Sequence, residues 1–246
     1  MTASGGVAPD RVVVALPTFN EIENLPSIVP EIVAHGYRLL IVDDHSPDGT
    51  GRIADSFARD LDLVSVLHRE SKQGLGPAYA AAFDRALAED AEIVIEMDAD
   101  FSHDPADLPR LVAAIDAGAD LVIGSRYVPG GGTPDWPFRR RFISKGGNLY
   151  ARTLLGLQVQ DATAGFRAYT SGALESLPYR SAEASGYGFQ VEMAWRAHQL
   201  GLSITEIPIT FRDRIRGTSK MGPRIVAEAM GLVTLWGLKR LLGRVT

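Results

Sequence analysis

Apolar positions in the first half of the chain fall into short, nearly unbroken runs separated by stretches of helical character. Five runs, Arg11–Leu16, Arg38–Asp43, Leu63–His68, Ile93–Met97 and Asp120–Gly124, are rich in β-branched residues. A continuous apolar run of that length is the pattern of a strand buried on both faces. Between the runs, Thr50 is placed to start a helix through Asp60, and Pro77 to open the Ala-rich AYAAAFDRALAE. Asp104 followed by Pro105 pairs an N-cap with a first-turn proline for a helix to about Ala117. The alternation predicts an α/β fold with a mostly parallel, doubly wound sheet and helices on both faces.

After Gly124 the rhythm changes. Three glycines, 130–132, and Pro129, Pro134 and Pro137 make a long loop, followed by a basic helix over about Phe138–Leu155. Phe166–Thr170 and Ser203–Arg212 read as strands, Phe189–Leu200 and Gly222–Leu242 as helices. No repeat or low-complexity linker divides the 246 residues, so a single domain is expected over 1–246.

Composition narrows the chemistry. The chain has no cysteine, which excludes a disulfide framework, a thiolate metal site and a cysteine nucleophile. Motifs for a dinucleotide fingerprint, a P-loop, an HExxH zinc site and a GxSxG serine hydrolase are all missing. The longest uncharged apolar stretch near the end, Ala229–Leu238, is ten residues, about half of a bilayer span. The net charge of −5 hides an asymmetry: Trp136–Gln160 carries +5 and Arg214–Thr246 carries +6, leaving −16 on the remainder. Two basic, partly apolar segments on an acidic protein suit phosphates or an anionic membrane surface.

Ligands of open α/β sheets bind beyond the carboxyl ends of the strands. There the sequence gathers Pro17-Thr18-Phe19-Asn20-Glu21, Asp43-Asp44, Asp98-Ala99-Asp100 and Gly124-Ser125-Arg126. Asp98 and Asp100, flanking one residue just past a buried run, can grip a hard divalent cation. Mg²⁺ or Mn²⁺ takes oxygen ligands and is commonly shared with substrate phosphates.

The segments VVVALPTFNEIENL, LLIVDDHSPDGTG, GLGPAYAAAFDRAL, EIVIEMDADFSHDP, DLVIGSRYVPGGG and FRDRIRGTSKMG resemble the family 2 glycosyltransferases. They are most similar to the dolichol- and polyprenol-phosphate mannose synthases, over about residues 10–225. The resemblance implies a GT-A type fold. It implies a catalytic core of about 10–221 with an acceptor loop and helix at 126–156, and an amphipathic helix at 222–246. It implies transfer of mannose from GDP-mannose to a polyprenyl phosphate, inverting and dependent on Mg²⁺ or Mn²⁺. A polyprenyl-phosphate transferase using a UDP-sugar, and a non-catalytic nucleotide-binding protein on the same fold, are the alternatives.

Carried over residue by residue, the resemblance assigns the donor nucleotide to Pro17, Phe19, Glu21, Val42, Asp44, Asp98, Ala99, Asp100, Ser102, Arg214 and Lys220. Metal falls to Asp98 and Asp100, and acceptor phosphate to Arg126, Arg140 and Ser144. Asp100, Arg126 and Lys220 are the expected catalytic residues. Ser102 stands where the family often has glutamine, and Asp161 and Glu192 are expected to give structural or acceptor-side support. A lipid acceptor implies peripheral binding at the cytoplasmic side of a membrane, directly or through an anchoring protein partner, and no nucleic acid. The expected docking elements are the Phe138–Leu155 helix, with Phe142, Ile143, Leu149, Tyr150 and Leu154, and the Ile225–Leu242 helix, with Trp236, Lys239 and Arg240.

Overall fold

The computed structural model describes residues 6–184, 186–213 and 223–242. Seven strands form one sheet: β1 (Val12–Thr18), β2 (Arg38–Asp43), β3 (Val64–His68), β4 (Ile93–Glu96), β5 (Leu121–Ser125), β6 (Arg167–Thr170) and β7 (Ile204–Pro208). Their spatial order is β3-β2-β1-β4-β6-β5-β7. β6 runs antiparallel to both neighbours, β4 and β5, and every other pairing is parallel. The mostly parallel sheet expected from the sequence is thus present, with β6 as its reversed member.

Among the described residues eight α-helices accompany the sheet: α1 (Leu25–Val33), α2 (Thr50–Asp60), α3 (Leu75–Ala88), α4 (Leu108–Asp116), α5 (Phe138–Leu155), α6 (Ser171–Ser176), α7 (Tyr187–Gln199) and α8 (Pro223–Leu241). The period-two geometry of a strand splits β1 between two cores. Val13 and Ala15 join Tyr79, Phe83, Phe189 and Trp236 on the α3, α7 and α8 side. Val12, Val14 and Leu16 join Leu25, Ile28 and Leu111 on the α1 and α4 side. Both faces of β1 are buried, which is why its sequence reads as a continuous apolar run instead of alternating.

Two helices were not legible in the sequence. α1 carries a proline in its first turn and Pro30 inside, a residue that normally argues against a helix interior. Leu25, Ile28, Val29 and Ile32 recur at helical spacing and are buried, so packing overrides the local preference. The short α6 is started by Thr170, whose side chain accepts from the Ala173 amide at 3.1 Å.

α8 lies on α5 and α7. Tyr150 and Thr234 hydroxyls bond at 2.6 Å, and Arg240 donates to the Leu154 carbonyl at 3.2 Å. This corrects one expectation. Trp236 does not face outward: it is buried, stacks on Trp195 at 5.4 Å and donates to Glu183 at 3.1 Å. Tyr150 and Leu154 likewise pack toward the core. What the helix pair leaves exposed is Phe138, Phe142, Ile143 and Leu149 on α5, and Met230, Leu235, Leu238 and Leu241 on α8.

Candidate active site

Because β1, β2, β4 and β5 run the same way, the segments that follow them open on one edge of the sheet. Backbone strain concentrates there. Asn20, His45 and Phe101, just past β1, β2 and β4, have φ of 58°, 59° and 61°. The left-handed region is tolerable for asparagine and histidine but is unusual for phenylalanine. Phe101 sits between Asp100 and Ser102, and its turn lets the Ser102 amide donate to Asp100 Oδ1 at 3.0 Å.

The first two strand ends form one wall. Pro17 lies beside Val42 in the parallel register, and the Asp44 amide donates to the Thr18 carbonyl at 3.0 Å. The buried Asp44 carboxylate is held by Arg69, which follows β3. Burial outweighs that guanidinium and raises the Asp44 carboxyl above its ordinary range. The Lys72 ammonium lies 3.7 Å from the centre of the Phe19 ring. The Glu21 backbone and side chain are both engaged: its amide donates to Thr50 Oγ1 at 2.9 Å, and its carboxylate accepts from Asn24 at 2.7 Å.

Asp98 and Asp100 are placed differently. The Asp98 side chain is 36% exposed, whereas Asp100 is 6% exposed. His103 lies beneath them, stacked on Phe166 at 4.9 Å and edge-on to Phe211 at 5.4 Å. Its Nδ1 accepts from the Asp98 amide at 3.3 Å, a role open only to neutral imidazole. Burial pushes its pKa down to about 4, with Asp100 opposing the shift and Arg126 adding to it. His103 therefore braces the turn that carries the carboxylates.

Beyond β5 lies a buried polar network. Arg126 donates to Asp161 through its amide at 3.0 Å, Nε at 2.7 Å and Nη2 at 2.6 Å, and to Thr163 Oγ1 at 2.7 Å. Burial alone would raise the Asp161 carboxyl, but the guanidinium and these hydrogen bonds hold it below the ordinary range. Asn148 of α5 donates to Thr163 Oγ1 at 3.0 Å and to the Ser144 carbonyl at 3.2 Å. Tyr127 donates to Ser144 Oγ at 2.6 Å. The Arg140 guanidinium lies over Trp136, 4.0 Å from the ring centre, with Nη1 2.5 Å from Asp213 Oδ1.

The expected residues on the described edge therefore form two groups. Pro17, Phe19, Glu21, Val42 and Asp44 lie at the ends of β1 and β2, while Arg126, Arg140 and Ser144 lie around β5 and α5, with Asp98–Ser102 ending β4 between their strands. Arg214 and Lys220 fall outside the described residues. Glu192 sits apart from both groups: its carboxylate accepts from the Glu183 and Ala184 amides at 3.0 Å and pairs with Arg196, fixing the turn before α7. Sequence reasoning missed Arg69, Lys72, His103, Trp136, Thr163, Asn148 and Asp213. Only Trp136 and Asp213 carried a signal, each being close in sequence to an arginine already singled out.

The seven-stranded, mostly parallel sheet flanked by helices is a fold of the GT-A type, with the paired carboxylates Asp98 and Asp100 just beyond β4. The chain belongs to glycosyl transferase family 2, whose family model matches residues 13–177, and it is a glycosyltransferase. Over 95% of its length it is 49% identical to polyprenol monophosphomannose synthase of Mycolicibacterium smegmatis, covering 89% of that protein. Over 93% it is 49% identical to undecaprenyl-phosphate mannosyltransferase of Micrococcus luteus, covering 94% of that protein. The fold is shared with glucosyl-3-phosphoglycerate synthase of Mycobacterium tuberculosis in complex with UDP, at a TM-score of 0.67 and 22% identity. That match covers 93% of this chain and 79% of the other. Family membership removes the non-catalytic alternative.

Proposed function

We propose that this enzyme transfers mannose from GDP-mannose to a polyprenyl phosphate, releasing GDP and inverting the anomeric carbon. The 49% identity to two mannosyltransferases named for prenyl acceptors supports the sugar and the acceptor class. The observation that carries the reading is the joining of the two halves of the edge. One extended segment after β7 donates from the Arg212 amide to the Ser102 carbonyl at 3.2 Å and from the Phe211 amide to the Gly132 carbonyl at 2.9 Å. The paired carboxylates and the basic acceptor loop are thereby neighbours.

Among the described residues no group of three or more His, Asp or Glu could hold a metal ion. An all-oxygen pair such as Asp98 and Asp100 fits a Mg²⁺ or Mn²⁺ that completes its shell with substrate phosphates and water. Such an ion supplies Lewis-acid stabilisation of the departing diphosphate. In this reading Pro17, Phe19, Glu21, Val42, Asp44, Ala99 and Ser102 line the nucleoside and ribose side of the site. To Arg214 and Lys220, which lie outside the described residues, we assign the diphosphate on family resemblance alone.

The acceptor's own chemistry sets the remaining task. A phosphate monoester is already anionic at neutral pH, so one of its oxygens attacks the anomeric carbon without losing a proton to a strong base. The new C1–O bond forms as the C1–O bond to the diphosphate breaks, and the electron pair leaves with GDP. The protein's part is to hold two anions close together and in line. Arg140, on its Trp136 platform, orients the acceptor phosphate. Arg126, fixed by Asp161 at the mouth of the loop, and Ser144, aligned by Tyr127, receive the same phosphate.

Among the described residues no helix is long and apolar enough to cross a membrane. We assign membrane contact to the exposed side of α5 and α8, where Phe142 and Ile143, 70% and 59% exposed, stand beside Arg139, Arg141 and Lys145. The polyprenyl chain stays in the bilayer and the enzyme meets it from the cytoplasmic side, alone or with an anchoring protein.

The direct test is incubation with radiolabelled GDP-mannose or UDP-glucose, a polyprenyl phosphate and Mg²⁺, followed by organic extraction. Label from GDP-mannose in an alkali-stable, mild-acid-labile lipid is the expected result. Label from UDP-glucose alone would replace the donor assignment.

A further inference from the structure

We propose that Asp213 is an internal competitor at the acceptor site: its carboxylate occupies on Arg140 the place that the acceptor phosphate takes, and it returns there once the product has formed. The inference rests on the reading above that Arg140 receives the acceptor phosphate.

The position of Asp213 is built. The chain leaving β7 is pinned by a series of backbone bonds: Ile209 amide to Ser125 carbonyl at 3.0 Å, Gly132 amide to Ile209 carbonyl at 3.0 Å, Phe211 amide to Gly132 carbonyl at 2.9 Å, and Arg212 amide to Ser102 carbonyl at 3.2 Å. The Asp213 amide then donates to Asp135 at 3.4 Å. These contacts deliver one carboxylate to Arg140, 2.5 Å from Nη1, while the Trp136 ring centre lies 4.0 Å from the guanidinium carbon. Phe211 packs edge-on against the same Trp136 ring at 5.4 Å.

A carboxylate and a phosphate offer a guanidinium the same kind of oxygen pair. Their charges differ. Asp213 carries one negative charge. A phosphate monoester carries close to two at neutral pH, its second pKa being about 6. The mannosylated product is a phosphodiester with one. Arg140 and Asp213 are each about half-exposed, at 47% and 43%, so their pair is weak and easily exchanged. Both must displace Asp213 from Arg140, so the carboxylate lowers the affinity of each by the same factor, and the dianionic monoester, which binds the arginine more tightly, still fills the site where the monoanionic diester does not. Asp213 thus loosens the hold on the product and favours its release after transfer.

The experiment compares wild type, Asp213→Asn, Asp213→Ala, Arg140→Ala and the Arg140→Ala/Asp213→Asn double variant. A short-chain prenyl phosphate is the acceptor and its mannosyl phosphodiester the product inhibitor. Removing the carboxylate should lower the inhibition constant of the diester about two- to fivefold, the range open to an exposed ion pair. It should lower the acceptor KM by a similar factor and leave the donor KM unchanged. In the Arg140→Ala background the same change should do nothing. Unchanged or weaker diester inhibition in both Asp213 variants, or an effect that persists without Arg140, overturns the proposal. An acceptor KM that Arg140→Ala does not move overturns instead the assignment of the phosphate to Arg140, whatever the Asp213 variants do.

Discussion

Asp161 grips Arg126 along one edge of its guanidinium, with Nε–Oδ2 at 2.7 Å and Nη2–Oδ1 at 2.6 Å, and takes the Arg126 amide as well. Both side chains are almost fully buried. The pair closes β5 onto the loop before β6, and through Thr163 and Asn148 it reaches α5. A charge held this way in the interior serves placement more than net stability, because desolvation consumes much of the attraction.

Breaking the pair should be costly. Arg126→Met leaves Asp161 buried without its counter-charge and should destabilise by about 3–5 kcal/mol. Asp161→Asn keeps the shape but leaves the buried Arg126 cation unpaired and should cost a similar amount. Since the native Asp161 carboxyl titrates below its ordinary range, its contribution is fully present above the unfolded carboxylate pKa of about 4 and is lost as pH falls through the lower native value. Urea titrations of wild type and Asp161→Asn at pH 7 and pH 3 provide the check. The gap between them should narrow in acid, and a gap that widens would contradict the ion-pair account.

Asp100→Asn should abolish transfer while leaving the melting temperature close to wild type. The amide oxygen can still accept from the Ser102 amide, so the turn survives and only the anionic metal ligand is lost. A loss of at least about a hundredfold in kcat/KM is expected, in keeping with several kcal/mol of charge stabilisation in the transition state. Wild type assayed in EDTA should be equally inactive and recover with Mg²⁺ or Mn²⁺. Full turnover in chelator would remove the metal from the mechanism.

Arg140→Lys separates charge from shape. Lysine keeps the cation but gives up the planar guanidinium over Trp136 and its fork of donors. We expect a several-fold rise in acceptor KM for Arg140→Lys and about ten- to a hundredfold for Arg140→Ala, the cost of one charge-assisted hydrogen-bonded contact. Donor KM should hold in both. Equal damage from the two substitutions would show that the charge alone is too little and that the geometry carries the whole effect.

Vesicle flotation tests the exposed side of α5 and α8. The enzyme should float with anionic vesicles containing polyprenyl phosphate and release as salt rises, since the basic side chains that flank the apolar ones are solvent-facing. Phe142→Asp/Ile143→Asp should stay in the dense fraction yet retain activity on a detergent-dispersed short-chain acceptor. Wild type that never floats would assign the anchoring to a partner protein.

The strands were legible in the sequence because burial on both faces leaves a signature that needs no tertiary knowledge: β1, β2, β4 and β5 are continuous apolar runs, and the polar residues ending them could be assigned to one edge by the rule for parallel sheets. Asp98 and Asp100 were visible for the same reason, as charges at the end of an apolar run. The reversal of β6 was not, because strand direction is a property of the connection and not of the residues. Nor was α1, whose prolines speak against a helix that its buried face demands. The partners of the site residues came only with the tertiary structure. Asp161 meets Arg126 across 35 positions and Asp213 meets Arg140 across 73. Trp236 looks from its sequence like an interfacial aromatic and is buried on Trp195. Local sequence determines how a segment pairs with itself and with water. Which charge neutralises which, and which apolar face is left uncovered, is decided by contacts between segments that no local pattern encodes.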